Sequence, residues 1–600
     1  MLGAFGCCCA SFNYAFNLIS KPMRQRYNFT EREMGTIMTV GLVLKYVLTP
    51  YAYLYDRVGV LPITVIMTSY FVIGTACLAQ CFAGNISGSV LKLSVFNAFL
   101  TCGGSLFDLV CCMTILNHFP SNKGAAAAFI KAFTGLGSAL AGSLYTAFFM
   151  NRADLYFYFL MTFAAVVGTF FMIFVRQPPY YIMPYEQDRL SPEEIKARKD
   201  CKTAYLRQKP PVARFIYGFV IIFFLIVYLP ISSTLVQYRH LSQPYKTAFA
   251  VVSIVAWLMV PLISVPFPGL NGPKALPGEQ DQHKSGKVVE TNSSVLPEES
   301  KYYLAKDTSV NALTQPDFQI NNATDEPSEK AERSAPETDM DYIAPQYQHR
   351  FVRNLTTLEL WGLWWTMFCC IGAQFIVIFN ASQIYAALSG KEPSDALRAM
   401  LTVFNGVGGA VGRLLMAYFE IWSQKRKAED RVPITISLFF PVVPTILTFV
   451  LFLILPVSAL PLPYVVVALS NGFSVAVCVL LTRTIYARDS ALHYNFCFIA
   501  VGASSVVFNR FLYAEWYAYQ TEKRGNSSVC FDKACVLMPM IVLIALGCSA
   551  LLSSFVVHIR YRTFYIHALK ERARIRMAAM EDAGQRRPDQ VNDALVHRDV

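Results

Sequence analysis

The sequence predicts an all-α polytopic membrane protein of about fourteen spanning helices. Three observations carry that reading. Of the 600 residues, 54% are hydrophobic and only 15% are charged, where a soluble chain carries about 25% charged residues. Uncharged apolar stretches of about 20 residues, the length that crosses a bilayer, recur along the chain. One polar, acidic stretch divides them into a set of eight and a set of six.

The first set lies near 2–20, 35–55, 60–82, 92–116, 124–149, 154–175, 214–234 and 247–267. The second lies near 358–380, 395–419, 433–457, 462–486, 494–517 and 537–558. The opening run is followed by Lys21, Arg24 and Arg26 and not by a small-residue cleavage site, so it reads as the first span and not as a removed leader. Between the sets, residues 271–350 hold 14 Asp and Glu against 8 Lys and Arg, a net of −6, which leaves +18 on the rest of a +12 chain. With hardly an aliphatic run, that stretch cannot bury enough apolar surface to offset its chain entropy and is expected to be disordered. The expected organisation is a six-helix bundle over 1–175, a basic loop over 176–213, two additional spans over 214–267, an acidic loop over 268–353, a second six-helix bundle over 354–558 and a basic tail over 559–600.

Lys and Arg gather in 176–209, in 423–431 and from Arg560 to Arg587. The positive-inside rule puts all three in the cytosol, together with both termini, without conflict. The membrane is the plasma membrane or that of an organelle. The sequons at Asn28, Asn85 and Asn526 then fall on the opposite side, while those at Asn292 and Asn322 are cytosolic and unused. Residues 560–577 mix aromatic and basic side chains. They fit either an amphipathic helix on anionic lipid or a solvated extension of the last span.

Most of the 16 cysteines, such as Cys111 and Cys112 or Cys369 and Cys370, sit in apolar segments and read as packing residues. Cys7, Cys8 and Cys9 read as buried in the first helix rather than acylated. Cys530 and Cys535 flank a polar hairpin and are a disulfide candidate, with two free thiols as the alternative.

Four ionisable groups lie well inside spans: Lys45, Asp108, Lys131 and Arg510. Embedded charges face the bundle interior and pair with one another or with a ligand. Lys131 and Arg510 are candidates for holding an anion, Arg by a fork and Lys as a point charge. Against this stands a structural ion pair between Lys131 and Asp108, or a proton-coupling role for Asp108. Lys45 is either a ligand-specific residue or one that snorkels. Asn13, Tyr14 and Asn17 on the first helix, with Asn13 and Asn17 expected on one face, are candidate hydrogen-bonding contacts, matched in the second half by Asn380 and Gln383.

Motifs sharpen the picture. YAYLYDRVGVLP (51–62) places Asp56, Arg57 and Gly59 between the second and third spans. It resembles the loop signature of the major facilitator superfamily, with Ala52 where the first Gly is usual and Val60-Leu61 where basic residues are usual. FNYAFNLIS (12–20), NHFPSNKGAAAAFIKAFTGLGSAL (117–140) and HYNFCFIAVGASSVVFNRFLY (493–513) are similar to corresponding parts of the nodulin-like branch. FNASQI (379–384) and Gly412-Arg413 extend the likeness into the second half. The resemblance implies a major facilitator fold of two six-helix bundles plus two extra helices, rocking about a mid-membrane site. It implies gating roles for Asp56, Arg57, Gly59 and Arg413, and adds Tyr494, Asn495 and Phe496 to the thirteenth helix's motif, with Asn495 a substrate contact.

No phosphate-binding G-x-x-x-x-G-K-[ST] loop and no metal-ligand spacing occurs in the sequence, and its eight histidines are scattered. The expectation is therefore not an enzyme and not a cofactor or nucleic-acid binder. It is a monomeric secondary transporter in the lipid bilayer, moving a small organic solute, an anion such as a monocarboxylate. The alternatives are a transporter of a metal ion or chelate, and a non-transporting membrane sensor or scaffold.

Overall fold

The computed structural model describes residues 1–119, 123–150, 152–182, 186, 189–207, 212–265, 343–424, 426, 428–525 and 529–596. The expected disorder of 271–350 falls almost wholly outside these residues, as do the sequons at Asn292, Asn322 and Asn526.

Among the described residues fourteen helices are long and apolar enough to span: α1 (Leu2–Tyr27), α2 (Glu31–Tyr55), α3 (Val60–Ala83), α4 (Val90–Ile115), α5 (Ala126–Phe149), α6 (Ala153–Phe174), α7 (Ala213–Tyr238), α8 (Gln243–Ser264), α9 (Leu358–Phe379), α10 (Asp395–Ser423), α11 (Ile434–Ile454), α12 (Val457–Ile485), α13 (Leu492–Lys523) and α14 (Ala534–Ile575). Each coincides with an expected segment. The final helix does not stop at the membrane; it runs on unbroken from Ala534 to Val596, so residues 560–577 are an extension of the last span. Tyr565 in that extension is buried and donates to the Ala428 carbonyl at 2.7 Å.

Local chemistry sets the breaks. Thr30 opens α2 with a reciprocal cap, its side chain accepting from the Glu33 amide while Glu33 reaches back to Thr30. The helix is interrupted at Val47 and Leu48, ahead of Pro50, which has no N–H to bond the Tyr46 carbonyl four residues earlier and whose ring clashes with it. Asp56 and Arg57 occupy the last turn of the resumed helix, and Gly59 follows at φ +95°, a conformation open to glycine, turning the chain into α3. The Asp56 side chain lies outside the described ones. Arg57 is exposed and sits 4.9 Å over the Tyr53 ring. Arg413, expected as a gating-loop residue, lies instead inside α10: GVGGAVGRLL has no helix breaker strong enough to end a 29-residue span.

Helices α1–α6 pack on one another, as do α9–α14. The two halves meet along α5 against α10 and α2 against α13, with α1 between them touching α9 and α10. The additional pair is placed by α7, which packs on both α5 and α10 and so lies along one edge of that seam. Loops that follow even-numbered spans share an end of the bundle with both termini. They carry the basic clusters, and this end is called the basic end below.

Glycine lets the seam close. A Cβ on Gly135 of α5 would collide with the Gly406 carbonyl and the Ala410 amide of α10, and one on Gly406 would lie 2.6 Å from the Gly135 carbonyl. The backbones touch there, as in small-residue membrane contacts.

Candidate functional site

Lys131 is not free. Its ammonium lies 2.7 Å from both carboxylate oxygens of Asp108 on α4, with side-chain exposures of 20% and 29%. The pair makes Lys131 tolerable among Ala, Phe and Gly, because each charge satisfies the other.

Arg510 is likewise occupied. Residues Ser505–Ala514 of α13 form a π-helical stretch, a distortion common at functional sites, and it aims Asn509 and Arg510 at α2. Arg510 donates to Thr36 at 2.9 Å and pairs with Glu515, which also receives Arg32 at 2.7 Å. Arg32 reaches Glu522 at 2.7 Å as well. Nearby, Asn380 donates to Asn509 at 2.8 Å, and Asn509 to Thr39 at 3.3 Å. These bonds tie the halves together away from the basic end. There Lys21 of α1 also approaches Glu392 at 3.3 Å and Asp395 at 3.8 Å. Arg24 pairs with Glu31 and, with the Gln383 amide oriented to satisfy both partners, reaches Gln383 at 2.7 Å.

Asn13 and Asn17 are both buried but do not face one neighbour. A 3-10 turn over Phe12–Ala15 advances each residue by 120° and not 100°, so the expected shared face is lost. Asn13 lies against Gly104 of α4, and both of its amide atoms lack a partner. Asn17 accepts from the Ser382 hydroxyl at 2.7 Å, while its Nδ2 has no partner. Asn17 lines a small cavity of about 10 Å³ between the halves, with Thr402, Asn405 and Tyr464 among its walls. A second small cavity of about 20 Å³ lies where α5, α7, α8 and α10 meet. Asn495 is half-buried beside Tyr494. Arg413 is buried against Gly409 and Gly472, with Nε unpartnered.

Lys45 is different. It is 7% exposed, and among the described residues no carboxylate pairs with it. Its ammonium stands 4.5 Å from the centre of the Tyr14 ring and 5.4 Å from that of Tyr46. Embedding a lysine costs about 2.5–3.5 kcal/mol on insertion scales, and a desolvated cation–π contact returns about 2 kcal/mol. Two such contacts make the burial affordable without cancelling the charge. Tyr14 stacks on Phe379 at 6.2 Å, Tyr46 on Phe375 at 6.2 Å, and Tyr46 also meets Phe498 at 5.5 Å. The Tyr46 phenol lies within electrostatic reach of Tyr14, Tyr494 and Asp108, and that of Tyr494 within reach of Lys131 and Asp108.

Sequence reasoning placed Tyr494 in a motif but missed the roles of Tyr46, Phe375 and Phe379, which read as ordinary apolar-helix aromatics, and those of Arg32 and Glu515, which are 483 residues apart. The one available signal was the neighbouring Lys45-Tyr46. Cys530 and Cys535 are joined as a disulfide with Cα atoms 6.5 Å apart. Of the other cysteines, Cys7, Cys8, Cys9, Cys111, Cys369 and Cys370 are buried free thiols.

The architecture is that of a major facilitator fold. Residues 1–270, which hold the first six-helix bundle and the additional pair, match the family model of the Major Facilitator Superfamily. No curated protein matches the sequence significantly. Solved structures with a similar course include a POT family transporter in complex with 5-aminolevulinic acid, at 12% identity over 94% of this chain and 96% of that one, TM-score 0.48. The xylose transporter XylE from E. coli matches at 10% identity over 92% and 96%, TM-score 0.48. A bacterial homolog of the lysosomal transporter Spinster matches at 10% over 94% and 96%, TM-score 0.41. At such scores these likenesses carry no argument about substrate or mechanism.

Proposed function

We propose that this chain is a secondary transporter that moves a small organic solute, an organic anion, across its membrane by alternating access between its two six-helix halves. One observation carries the reading: several polar and charged side chains embedded in the spans lie at the seam between the halves. Lys45, Tyr14, Asn17 and Asn405 all lie at or beside it, while the lipid-facing positions of the same helices are apolar. A seam of touching glycine backbones at one place and exchangeable ion pairs at another can open and reclose, which a structural core has no need to do. The motifs in α1, α5 and α13 support the narrower nodulin-like placement. The basic end is the cytosolic one in this reading, which puts the Cys530–Cys535 disulfide on the side where oxidation is permitted.

The full chain reconstituted into proteoliposomes, with a panel of radiolabelled organic acids, amino acids and sugars, tests the proposal. Saturable uptake of at least one solute above empty liposomes is the expected result. Specific binding without uptake of anything on the panel would refute transport and favour a sensor.

A further inference from the structure

The geometry points to Lys45 as the residue that selects the substrate's charge, within a ring-lined site fitted to a monocarboxylate carried on a flat aromatic body. This rests on the transport reading for its physiological meaning, but the binding it asserts stands separately.

The argument begins with a charge count. Of the ionisable groups well inside the spans of the first half, two are ammoniums, Lys45 and Lys131, and one is a carboxylate, Asp108. Asp108 engages Lys131 through both oxygens, so the uncancelled charge resides on Lys45. A monoanion would cancel the Lys45 charge, and a dianion would exceed it. Because Arg510 and Lys131 already hold carboxylates, neither is the free cation that the sequence suggested.

The second argument is shape. Lys45 is presented between the faces of Tyr14 and Tyr46, and those rings continue into Phe375 and Phe379 of α9. The surroundings of the ammonium therefore come from both halves: Tyr14 and Tyr46 from one, Phe375 and Phe379 from the other. A planar ring attached to the carboxylate can stack in that setting, and phenol hydroxyls can donate to its oxygens. A small hydrophilic acid offers nothing to the rings. Since the walls belong to opposing halves, a ligand bridging them would be held best when both close around it.

The test uses detergent-purified and reconstituted full-length chain, with phenylacetate, its uncharged isostere phenylacetamide, and acetate. Wild type should bind phenylacetate saturably and at least tenfold more tightly than either of the others. Lys45→Gln should lose at least tenfold in phenylacetate affinity while phenylacetamide binding is unchanged, and Lys45→Arg should restore part of the loss. Partial rescue by arginine shows that the protein still folds and that charge is what was removed. Equal binding of acid and amide, unaltered affinity in Lys45→Gln, or no binding of phenylacetate by wild type would each overturn the assignment. Lys45-dependent binding without flux would uphold the site and refute transport instead.

Discussion

At the scale of single residues, the question is which embedded charge is spent on structure and which is left over. Lys131 and Asp108 form the spent pair. Removing one member of a buried pair strands the other, so Asp108→Asn should lower the Tm of the purified protein, and Lys131→Met should do likewise. The double variant should be less damaged than the sum of the two, with a coupling of about 0.5–3 kcal/mol in a thermal-melt cycle. Strict additivity would mean the pair contributes nothing. The presence of the four embedded groups was legible in the sequence because a Lys or Asp inside an apolar run is conspicuous. The Lys131–Asp108 pair was legible only as an alternative to an anion site, because which groups meet depends on helix rotation. A single 3-10 turn in α1 was enough to send Asn13 and Asn17 to different neighbours.

At the scale of elements, all fourteen spans were legible from hydropathy, and the ends were less so. The break at Val47 follows from Pro50, and the π-helical stretch of α13 has no mark in the sequence. The small-residue runs on α5 and α10 could be read as close-packing surfaces, yet only the structure pairs Gly135 with Gly406. Because a side chain there would meet backbone and not a flexible neighbour, Gly135→Val should destabilise the closed seam by about 1–3 kcal/mol, as overpacking does. The expected readout is faster alkylation of a cysteine placed at Thr402, which borders the cavity. Unchanged reactivity would mean that α5 and α10 are not the contact that opens.

At the scale of the whole molecule, the halves are tied by ion pairs away from the basic end, with Arg32 serving two carboxylates of α13 at once. Such pairs are individually weak when partly exposed, about 0–1 kcal/mol, which suits a lock that must release. Arg32→Ala should therefore shift the population toward a state open at that end while leaving the fold intact. Spin labels at Asn28 and Lys523 would report it as a longer distance component in pulsed electron resonance. A distribution identical to that of the parent protein would show that Arg32 does not hold the halves. The two-halved architecture followed from the resemblance and the span count, whereas the lock did not, since its partners sit nearly 500 residues apart in the chain.

The continuous helix from Ala534 to Val596 has a mechanical consequence. Its 63 residues measure about 95 Å at 1.5 Å per residue, whereas the hydrocarbon core is about 30 Å thick. Because its membrane-embedded part is packed on α9 and α11, the remainder extends from the second half as a long helical arm. A turn of that half by about 15°, a size known for rigid-body switching, would sweep the far end of a projection of about 65 Å through an arc of about 17 Å. In the proposed transport cycle, whatever rests against that arm would feel a displacement far larger than the one that occurs at the solute.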